Sequence, residues 1–185
     1  MSFTIEPLAA LPELRVITPR AFPDERGEFY ESWHADKLAR LGFAETFVQD
    51  NHSASARGVL RGLHYQLPPA AQGKLVRAVV GEVFDVAVDV RRSSPTLGRW
   101  ASRRLSAANR EMLWIPPGFA HGFYVPGEAA VVVYKCTAAY SAEHDRTLLW
   151  SDPELGIDWP LSGGKPTVSD KDARGSRLRA AELFP

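Results

Sequence analysis

Hydrophobic residues along this chain recur at every second position, in short runs that end at glycine or proline. The clearest run is VFDVAVDV, in which Phe84, Val86 and Val88 alternate with a second set of side chains. An extended strand points successive side chains to opposite faces, so Asp85 and Asp89 would share the face opposite these three residues. A period of two predicts β-structure.

Similar runs are repeated along the chain and are separated by turns at close spacing. We predict one strand in each of the segments 14–21, 74–80, 83–90, 101–107, 112–125 and 129–140, with further strand-like positions between 47 and 66. Asp24, Arg26 and Gly27 predict a turn. HADKLARLGF predicts one short helix that ends at Gly42. Many short strands at this spacing predict an all-β sandwich or barrel.

Length and composition are those of a globular domain. The chain has 185 residues, of which 45% are hydrophobic and 24% are charged. It shows no internal repeat and no linker, so we expect one domain over residues 1–185. The segment from Ser151 onward is polar and rich in loops, and we expect it to wrap the barrel as an irregular flank.

Charge and cysteine content narrow the function classes. Lys+Arg and Asp+Glu both number 22, so the formal net charge is zero. Without a bulk positive field, nucleic acid and anionic membranes are not expected partners. The single cysteine, Cys136, permits no intrachain disulfide and suits a reducing compartment. No signal peptide and no apolar run of about 20 residues are present, so we expect a cytoplasmic protein.

Two stretches concentrate polar chemistry. FVQDNHSASARGVLRGLHYQ contains His52 and His64 together with arginine, asparagine, glutamine and aspartate. WIPPGFAHGFYV adds His121 after a rigid Pro-Pro-Gly turn. Burying ionisable groups is costly unless each finds a partner, so these stretches are more typical of a binding site than of plain strands.

A metal site is the first chemical hypothesis. The segment 116–121, PPGFAH, resembles the second metal motif of cupins, proline-x-glycine-x-x-histidine. The earlier strand contributes His64 but no carboxylate in the expected place. Since a facial metal site needs three protein ligands, the sequence does not predict a metal.

Acid–base chemistry is the second hypothesis. A histidine can take up a proton near neutral pH, and it works best when a carboxylate fixes its other ring nitrogen. The candidate bases are His64, His121 and His52, and the candidate orienting carboxylates are Asp85, Asp89 and Asp172. Tyr134 is either a partner acid or a core residue with a satisfied hydroxyl. Arginine and lysine match phosphate oxygens, so a diphosphate could be held by Arg26, Arg61, Lys74 and Lys171.

The strand that contains GVLRGLHYQ has a problem of parity. Arg61 and His64 would face opposite sides of a regular strand. Gly62 lies between them, and a β-bulge there would turn both side chains inward.

These motifs together resemble the dTDP-4-dehydrorhamnose 3,5-epimerase family. The resemblance covers residues 22–172 and rests on FPDERGEFYESW, FVQDNHSASARGVLRGLHYQ, QGKLVRAVVGEVFDVAVDVRRSSPTLGRW, WIPPGFAHGFYV, YKCTAAYS and DPELGIDWP. It implies a cupin-like jelly roll with a few short helices, usually a homodimer. It also implies dTDP-4-dehydro-6-deoxy-D-glucose as the substrate, conversion to dTDP-4-dehydro-L-rhamnose, and no cofactor.

The resemblance also implies roles for individual residues. His64 would be the base, Tyr134 the acid on the opposite face, and Asp172 the carboxylate that pairs with His64, with Asp85 as the second choice for that pairing. The positions that match substrate contacts are Arg26, Glu31, Gln49, Asn51, Arg61, Lys74, His121, Tyr140, Asp145 and Lys171. Tyr140 would stack on the thymine ring. The chemistry of the reaction adds a role for Lys74, which with His121 could stabilise the negative charge on the ketone oxygen of the enolate.

The sequence departs from the family at Asp145, where glutamate is common, and at Ser151 and Ala142. A single-site epimerase of another deoxysugar pathway, which inverts only carbon 3 or carbon 5, remains an alternative. A non-catalytic nucleotide-sugar-binding cupin and a metal-dependent cupin oxygenase or isomerase are further alternatives from other classes.

Overall fold

The protein is built from two antiparallel β-sheets that enclose a hydrophobic core. The structure is a computed structural model, and it describes residues 2–161 and 163–185. The strands are β1 (Phe3–Leu8), β2 (Leu11–Pro19), β3 (Ala21–Asp24), β4 (Gly27–Tyr30), β5 (Gln49–Ala56), β6 (Leu60–Gln66), β7 (Lys74–Val80), β8 (Glu82–Asp89), β9 (Trp100–Ser106), β10 (Met112–Ile115), β11 (Phe119–Tyr124), β12 (Ala129–Cys136) and β13 (Asp145–Thr147). The helices are α1 (Ala35–Ala39), α2 (Asp170–Ala173) and a 3-10 turn (Leu178–Ala180).

The chain passes back and forth between the two sheets. The six-stranded sheet has the order β1-β2-β10-β7-β12-β5, and the five-stranded sheet has the order β13-β6-β11-β8-β9. From β9 to β13 each successive strand lies in the other sheet, and the same is true from β5 to β8. This alternation is the topology of a jelly roll. The prediction of an all-β, cupin-like fold with few helices is confirmed.

The alternation along β8 explains how one sheet faces two cores. Val83 and Ala87 pack in the cluster between the sheets. Val86 and Val88 pack in a second cluster, on the outer face of the five-stranded sheet. Asp85 is buried on the same face as Val83, inside the barrel. The predicted split of the two faces is therefore correct, and it aims a carboxylate at the interior.

The C-terminal segment covers the outer face of the five-stranded sheet. Leu155 and Trp159 are buried in that outer cluster, and Phe184 packs against it. The backbone of Thr167 bonds to Gly58 and to Leu60, which fastens the segment beside the start of β6. The expectation that this segment wraps the barrel is confirmed.

Two of the strand predictions need correction. The segment 112–125 was expected to be one strand, but it forms β10 and β11, which lie in different sheets. Pro116 and Pro117 cannot donate ladder hydrogen bonds, and Gly118 has a φ of 90°, so the chain turns between the strands. Strand β1 was not predicted, because as an edge strand it fully buries only Phe3 and lacks a clear alternation.

The predicted helix and the predicted turn are present. Helix α1 is shorter than the segment 34–43, and Gly42 follows it with a φ of 81°. It covers the outer face of the six-stranded sheet, where Leu38 packs in the same cluster as Phe43. The turn predicted around Arg26 joins β3 to β4.

Candidate active site

A cleft opens into the barrel between the two sheets. It consists of two adjoining cavities of about 590 Å³ and 330 Å³. Five residues line both cavities: Asn51, His64, Lys74, Tyr134 and Lys171. We refer to the combined space as the cleft. These five residues are far apart in the sequence, on β5, β6, β7, β12 and the C-terminal segment. The folding of the barrel brings them together.

His64 and Asp172 form a hydrogen-bonded pair in the cleft. Nε2 of His64 lies 2.5 Å from Oδ1 of Asp172, and the two side chains are 30% and 4% exposed. Helix α2 holds Asp172 in place because the hydroxyl of Ser169 caps the helix by accepting from the Asp172 backbone N–H, at 3.1 Å. Since Nε2 is engaged, Nδ1 is the ring nitrogen that remains for a substrate.

Burial and pairing shift both pKa values. Burial lowers the pKa of His64 below its usual value, and the hydrogen bond and charge of Asp172 oppose that shift without cancelling it. Burial acts to raise the pKa of Asp172, but its contacts with His64, the Ser169 hydroxyl and the Gly62 backbone outweigh this, so its pKa lies below the usual value. A neutral imidazole beside an ionised carboxylate is the state suited to accepting a proton.

A bulge in β6 brings Arg61 and His64 to the same cavity. In the pairing with β11, Phe123 lies opposite Arg61 and His121 lies opposite His64, so β6 contains one extra residue. Gly62 has a φ of 118°, which a residue with a Cβ rarely adopts. Both Arg61 and His64 line the larger cavity, and the predicted bulge is confirmed.

A second histidine–carboxylate pair lies next to the first. Nε2 of His121 is 2.9 Å from Oδ2 and 3.1 Å from Oδ1 of Asp85. These side chains are 5% and 0% exposed. Asp85 was the second choice as the partner of His64, and the structure pairs it with His121 instead, because Asp85 on β8 lies two residues from the register partner of His121 and on the same face.

Tyr134 faces the cleft from the six-stranded sheet. It lies beside the core on the same strand face as Val132 and Cys136, as predicted. Its ring is 6.5 Å from the ring of His121, edge to face. Burial raises the pKa of the Tyr134 hydroxyl, so the group keeps its proton at neutral pH. Within residues 2–161 and 163–185 this hydroxyl has no hydrogen-bond partner, which leaves it free for a ligand.

Lys74 supplies positive charge deep in the cleft. Its side chain is 9% exposed, and its Nζ donates to the backbone oxygen of His64 at 3.3 Å. Burial lowers the pKa of Lys74, while Cys136 and nearby carboxylates oppose the shift. Cys136 is buried as predicted, and its sulfur accepts a hydrogen bond from the Asn51 amide at 3.4 Å.

The mouth of the cleft has an exposed aromatic ring beside an ion pair. Tyr140 is 60% exposed, its hydroxyl lies 3.2 Å from Oδ2 of Asp145, and its backbone N–H donates to Gln49 at 2.9 Å. Lys171 forms an ion pair with Asp145. Despite its shorter side chain, Asp145 therefore reaches both of its neighbours.

Some predicted site residues are not brought to the cleft. Arg26 is exposed and pairs with Asp24 in the β3–β4 hairpin, and Glu31 pairs with Lys37 at 2.6 Å. Neither Arg26 nor Glu31 lines the cleft of its own chain. Of the four cations predicted to hold a diphosphate, three line this cleft: Arg61, Lys74 and Lys171.

Two other acid–base candidates do not form a histidine–carboxylate pair. His52 is exposed and lines the larger cavity, but it makes no hydrogen bond to a carboxylate in the described part of the chain. Asp89 is buried but pairs with Arg91 and accepts from the hydroxyls of Ser94 and Thr96. It therefore orients no histidine.

Sequence reasoning missed the loop before α2. Thr167, Val168 and Ser169 all line the larger cavity. The pattern Ser-x-x-Asp at 169–172 resembles a capping motif and could have indicated a helix start here. The family resemblance paired Asp172 with His64, but no local pattern indicated that the pairing is made by a helix that lies against β6.

The described residues contain no group of three or more histidine, cysteine, aspartate or glutamate side chains that could hold a metal ion. Nor does any helix in the ranges 2–161 and 163–185 have the length and apolar character needed to cross a membrane. Each interior histidine has an aspartate partner on its Nε2 atom instead of a second imidazole.

The fold and the cleft define the class of this protein as a cupin-like jelly-roll enzyme with ionisable groups inside the barrel. A family model described as dTDP-4-dehydrorhamnose 3,5-epimerase matches residues 9–180. The chain belongs to the dTDP-4-dehydrorhamnose 3,5-epimerase family.

Individual relatives agree with this assignment. The dTDP-4-dehydrorhamnose 3,5-epimerase of Pseudomonas aeruginosa is 54% identical over 177 residues, which cover 95% of this chain and 97% of that one. The RmlC epimerase of Legionella pneumophila, solved in complex with dTDP-4-keto-L-rhamnose, is 47% identical with a TM-score of 0.93, over 98% of this chain and 97% of that one. ChmJ of Streptomyces bikiniensis, a 3'-monoepimerase, is 32% identical with a TM-score of 0.87, over 94% of this chain and 87% of that one.

Proposed function

We propose that the chain converts dTDP-4-dehydro-6-deoxy-D-glucose to dTDP-4-dehydro-L-rhamnose by inverting carbons 3 and 5, in dTDP-L-rhamnose biosynthesis. The observation that carries the proposal is that the His64–Asp172 pair and the Tyr134 hydroxyl line one cleft. We assign His64 as the base, Tyr134 as the acid and Asp172 as the carboxylate that orients the base.

The first step removes a proton from carbon 3 or carbon 5. Both carbons flank the ketone at carbon 4, so the electron pair of the broken C–H bond moves onto the ketone oxygen as an enolate. Nδ1 of His64 accepts the proton, and the imidazolium that results is stabilised by Asp172 on Nε2. The lowered pKa of His64 keeps the ring neutral and ready before substrate binds.

The enolate oxygen needs a donor in a site with little water. Lys74 is buried at the base of the cleft and has hydrogens to give, so we assign it to the enolate oxygen. Removing one such donor in other enzymes costs about 2.7–4 kcal/mol of transition-state stabilisation, which is enough to decide whether the reaction proceeds.

The second step returns a proton to the other face of the carbon. Tyr134 lies on the six-stranded sheet and His64 on the five-stranded sheet, so the two groups approach the sugar from different walls of the barrel. Tyr134 gives its proton to the carbon and becomes a phenolate, which then regains a proton from solvent while His64 loses one. Reprotonation by His64 itself would only exchange the hydrogen, without inversion.

The remaining predicted contacts anchor the nucleotide. We assign Tyr140 to the thymine ring, because its exposed ring stands at the mouth. Arg61 and Lys171 are assigned to the diphosphate, and Gln49 and Asn51 to polar atoms along the cleft wall. Binding energy from these remote contacts holds the sugar in position for proton transfer. Since substrate and product are isomers and the ketone itself acidifies the protons, the reaction needs no cofactor.

We also propose that residues 1–185 act as one domain, in a cytoplasmic homodimer. One domain is supported by the packing of the C-terminal segment on the outside of the barrel. A dimer is supported by the β3–β4 hairpin, where Phe29 is 67% exposed, and by Val48, which is 62% exposed beside the edge strand β5. A dimer would also offer Arg26 and Glu31 a cleft in a second copy. Sedimentation equilibrium would test this, and a monomer at assay concentration would contradict it.

The test of the reaction is NMR of dTDP-4-dehydro-6-deoxy-D-glucose incubated with the protein in deuterated water, with a reductase added to trap the product. We expect deuterium at both carbons 3 and 5, and trapped L-rhamnose. Deuterium at one carbon only would instead identify a single-site epimerase. If neither carbon 3 nor carbon 5 gains deuterium, the proposed function is refuted.

A further inference from the structure

A buried carboxylate that the mechanism above does not use lies behind one wall of the cleft, bonded to His121. Asp85 has no exposed side-chain surface, yet both of its oxygens lie within 3.1 Å of Nε2 of His121. Asp85 does not line the cleft, whereas His121 does. Any effect of Asp85 on a bound sugar must therefore pass through the imidazole ring.

We propose that Asp85 is a positioning residue that fixes the tautomer of His121, so that Nδ1 presents a lone pair to a hydroxyl group of the sugar. The proposal rests on the proposed function, because it requires a nucleotide sugar in the cleft. It assigns a role to Asp85 and a hydrogen-bond direction to His121.

The tautomer follows from the partner. In a neutral imidazole one ring nitrogen donates and the other accepts. Both carboxylate oxygens of Asp85 lie within hydrogen-bond distance of Nε2, and a carboxylate oxygen accepts, so this pairing places the hydrogen of His121 on Nε2. Nδ1 is then left as the acceptor, and the fixed contact prevents the ring from turning.

The position of Nδ1 indicates a ligand. Within the described residues His121 has no hydrogen-bond partner other than Asp85. The only buried side-chain polar atoms without a partner in that part of the chain are the hydroxyl oxygens of Ser53 and Thr147. Nδ1 is not one of them, so it is reached from the cavity that His121 lines. An acceptor is therefore open to the space where the sugar would lie.

Because Nδ1 of His121 accepts hydrogen bonds whereas Nζ of Lys74 donates them, the two side chains have different roles toward the sugar. An enolate oxygen accepts hydrogen bonds, so an Nδ1 lone pair would repel it, and Lys74 must serve that oxygen alone. A sugar hydroxyl donates, so Nδ1 can hold it. This revises the sequence-based expectation that His121 shares the stabilisation of the ketone oxygen. Sites built to bond a hydroxyl discriminate strongly against ligands that lack it.

The test combines imidazole NMR with binding and kinetics on the full chain. In 15N-labelled wild-type protein we expect His121 to carry its proton on Nε2. In Asp85→Asn the amide can donate to Nε2, which moves the proton to Nδ1, as a carboxylate-to-amide change does in a serine protease triad. We expect kcat/KM for the nucleotide sugar to fall about 10- to 100-fold, while the Kd of dTDP, which has no sugar, stays unchanged.

Asp89→Asn is the matched control. Asp89 is equally buried and lies on the same face of β8, but its partners are Arg91, Ser94 and Thr96. We expect this variant to be less stable while the His121 tautomer and the kcat/KM of the folded protein are unchanged. A loss of activity equal to that of Asp85→Asn would mean that any buried carboxylate on β8 has this effect, and would overturn the proposal.

A double variant tests whether Asp85 acts through His121. In a His121→Gln background, Asp85→Asn should cause no further loss of kcat/KM. Independent losses that multiply would overturn the proposal, as would a proton on Nδ1 in the wild-type protein. If the Asp85→Asn variant does not fold, the NMR measurement of the His121 tautomer in the wild-type protein still tests the proposal. A failure of the proposed function would look different. The wild-type protein would then show the expected His121 tautomer but no deuterium exchange into the sugar.

Discussion

Nε2 of His64 lies 2.5 Å from Oδ1 of Asp172, across 108 residues of sequence. Asp172 is almost fully buried, and His64 is the more exposed member of the pair. Both residues line the larger cavity, but the carboxylate exposes little surface there and is bonded to Nε2 of the imidazole. This arrangement fits a base that faces the substrate and a carboxylate that orients the base.

Replacing the carboxylate should disable the base. For Asp172→Asn we expect kcat to fall by about 100- to 10,000-fold, because an amide that donates to Nε2 favours the wrong tautomer of His64 and does not stabilise its imidazolium. Stopped-flow or NMR rate measurements would check this. Asp170→Asn is the matched control, since Asp170 is exposed on the same helix and should leave kcat near the wild-type value. Equal rates for the two variants would contradict the role of Asp172.

Removing the base should stop proton exchange. In His64→Asn we expect no deuterium from solvent at carbon 3 or carbon 5, because the base assigned above is lost, Nδ1 of His121 is assigned to a sugar hydroxyl, and His52 has no carboxylate partner in the described part of the chain. The Kd of dTDP should change little, since the nucleotide contacts lie toward the mouth. Full exchange in this variant would remove His64 from the base role.

Removing the acid should separate exchange from inversion. Tyr134→Phe keeps the ring and its packing but loses the hydroxyl, so His64 can still remove protons and return deuterium to the same face. We expect carbon-bound deuterium in recovered substrate and a loss of inverted product, measured by NMR. An unchanged yield of product would disprove the role of Tyr134 as the acid.

The pH dependence should follow from the lowered pKa of His64. The reaction needs the neutral ring, so log(kcat/KM) should fall on the acid side with a midpoint below the ordinary histidine value of 6.5. The pKa of Asp172 is also lowered, and both shifts make the unfolded chain bind more protons than the folded one. The free energy of unfolding should therefore decrease as pH falls, first from about 6.5 through the folded His64 pKa, and further as Asp172 protonates.

Chemical denaturation at several pH values would check the second part of this prediction. The Asp172→Asn variant should show a smaller decrease in stability below pH 4 than the wild-type protein does. An acid midpoint above 6.5 for kcat/KM would contradict the predicted direction of the His64 shift.

The bulge at Gly62 should tolerate no side chain. A Cβ there would lie 2.5 Å from Cα of Gly122 and 2.7 Å from the backbone oxygen of His121, and the φ of 118° is unfavourable for any L-residue. We expect Gly62→Ala to lower the free energy of unfolding by at least about 1–3 kcal/mol, measured by denaturant titration. Gly58→Ala is the control, because Gly58 also has a positive φ but no atom within 4 Å of the added Cβ. Equal losses would show that backbone conformation alone is responsible.

The sequence determined the fold class and much of the site. The period of two predicted the strands, and β8 shows why this works: one face of the strand must pack between the sheets and the other beneath the C-terminal segment. Motifs predicted His64, Tyr134 and Asp172, and the parity of Arg61 and His64 even predicted the bulge. Local patterns carry this information because side-chain direction and glycine conformation are decided within a few residues.

Only the tertiary structure decided which groups meet. Asp85 and Asp172 are both aspartates that could orient a histidine; the family resemblance favoured Asp172 for His64, but no periodicity or spacing distinguished the two. The register of β8 against β11 gives Asp85 to His121, and the packing of α2 against β6 gives Asp172 to His64. The same structure leaves Arg26 on an exposed hairpin, away from the cleft of its own chain. Pairings across a barrel depend on strand register and on long-range packing, which sequence spacing does not specify.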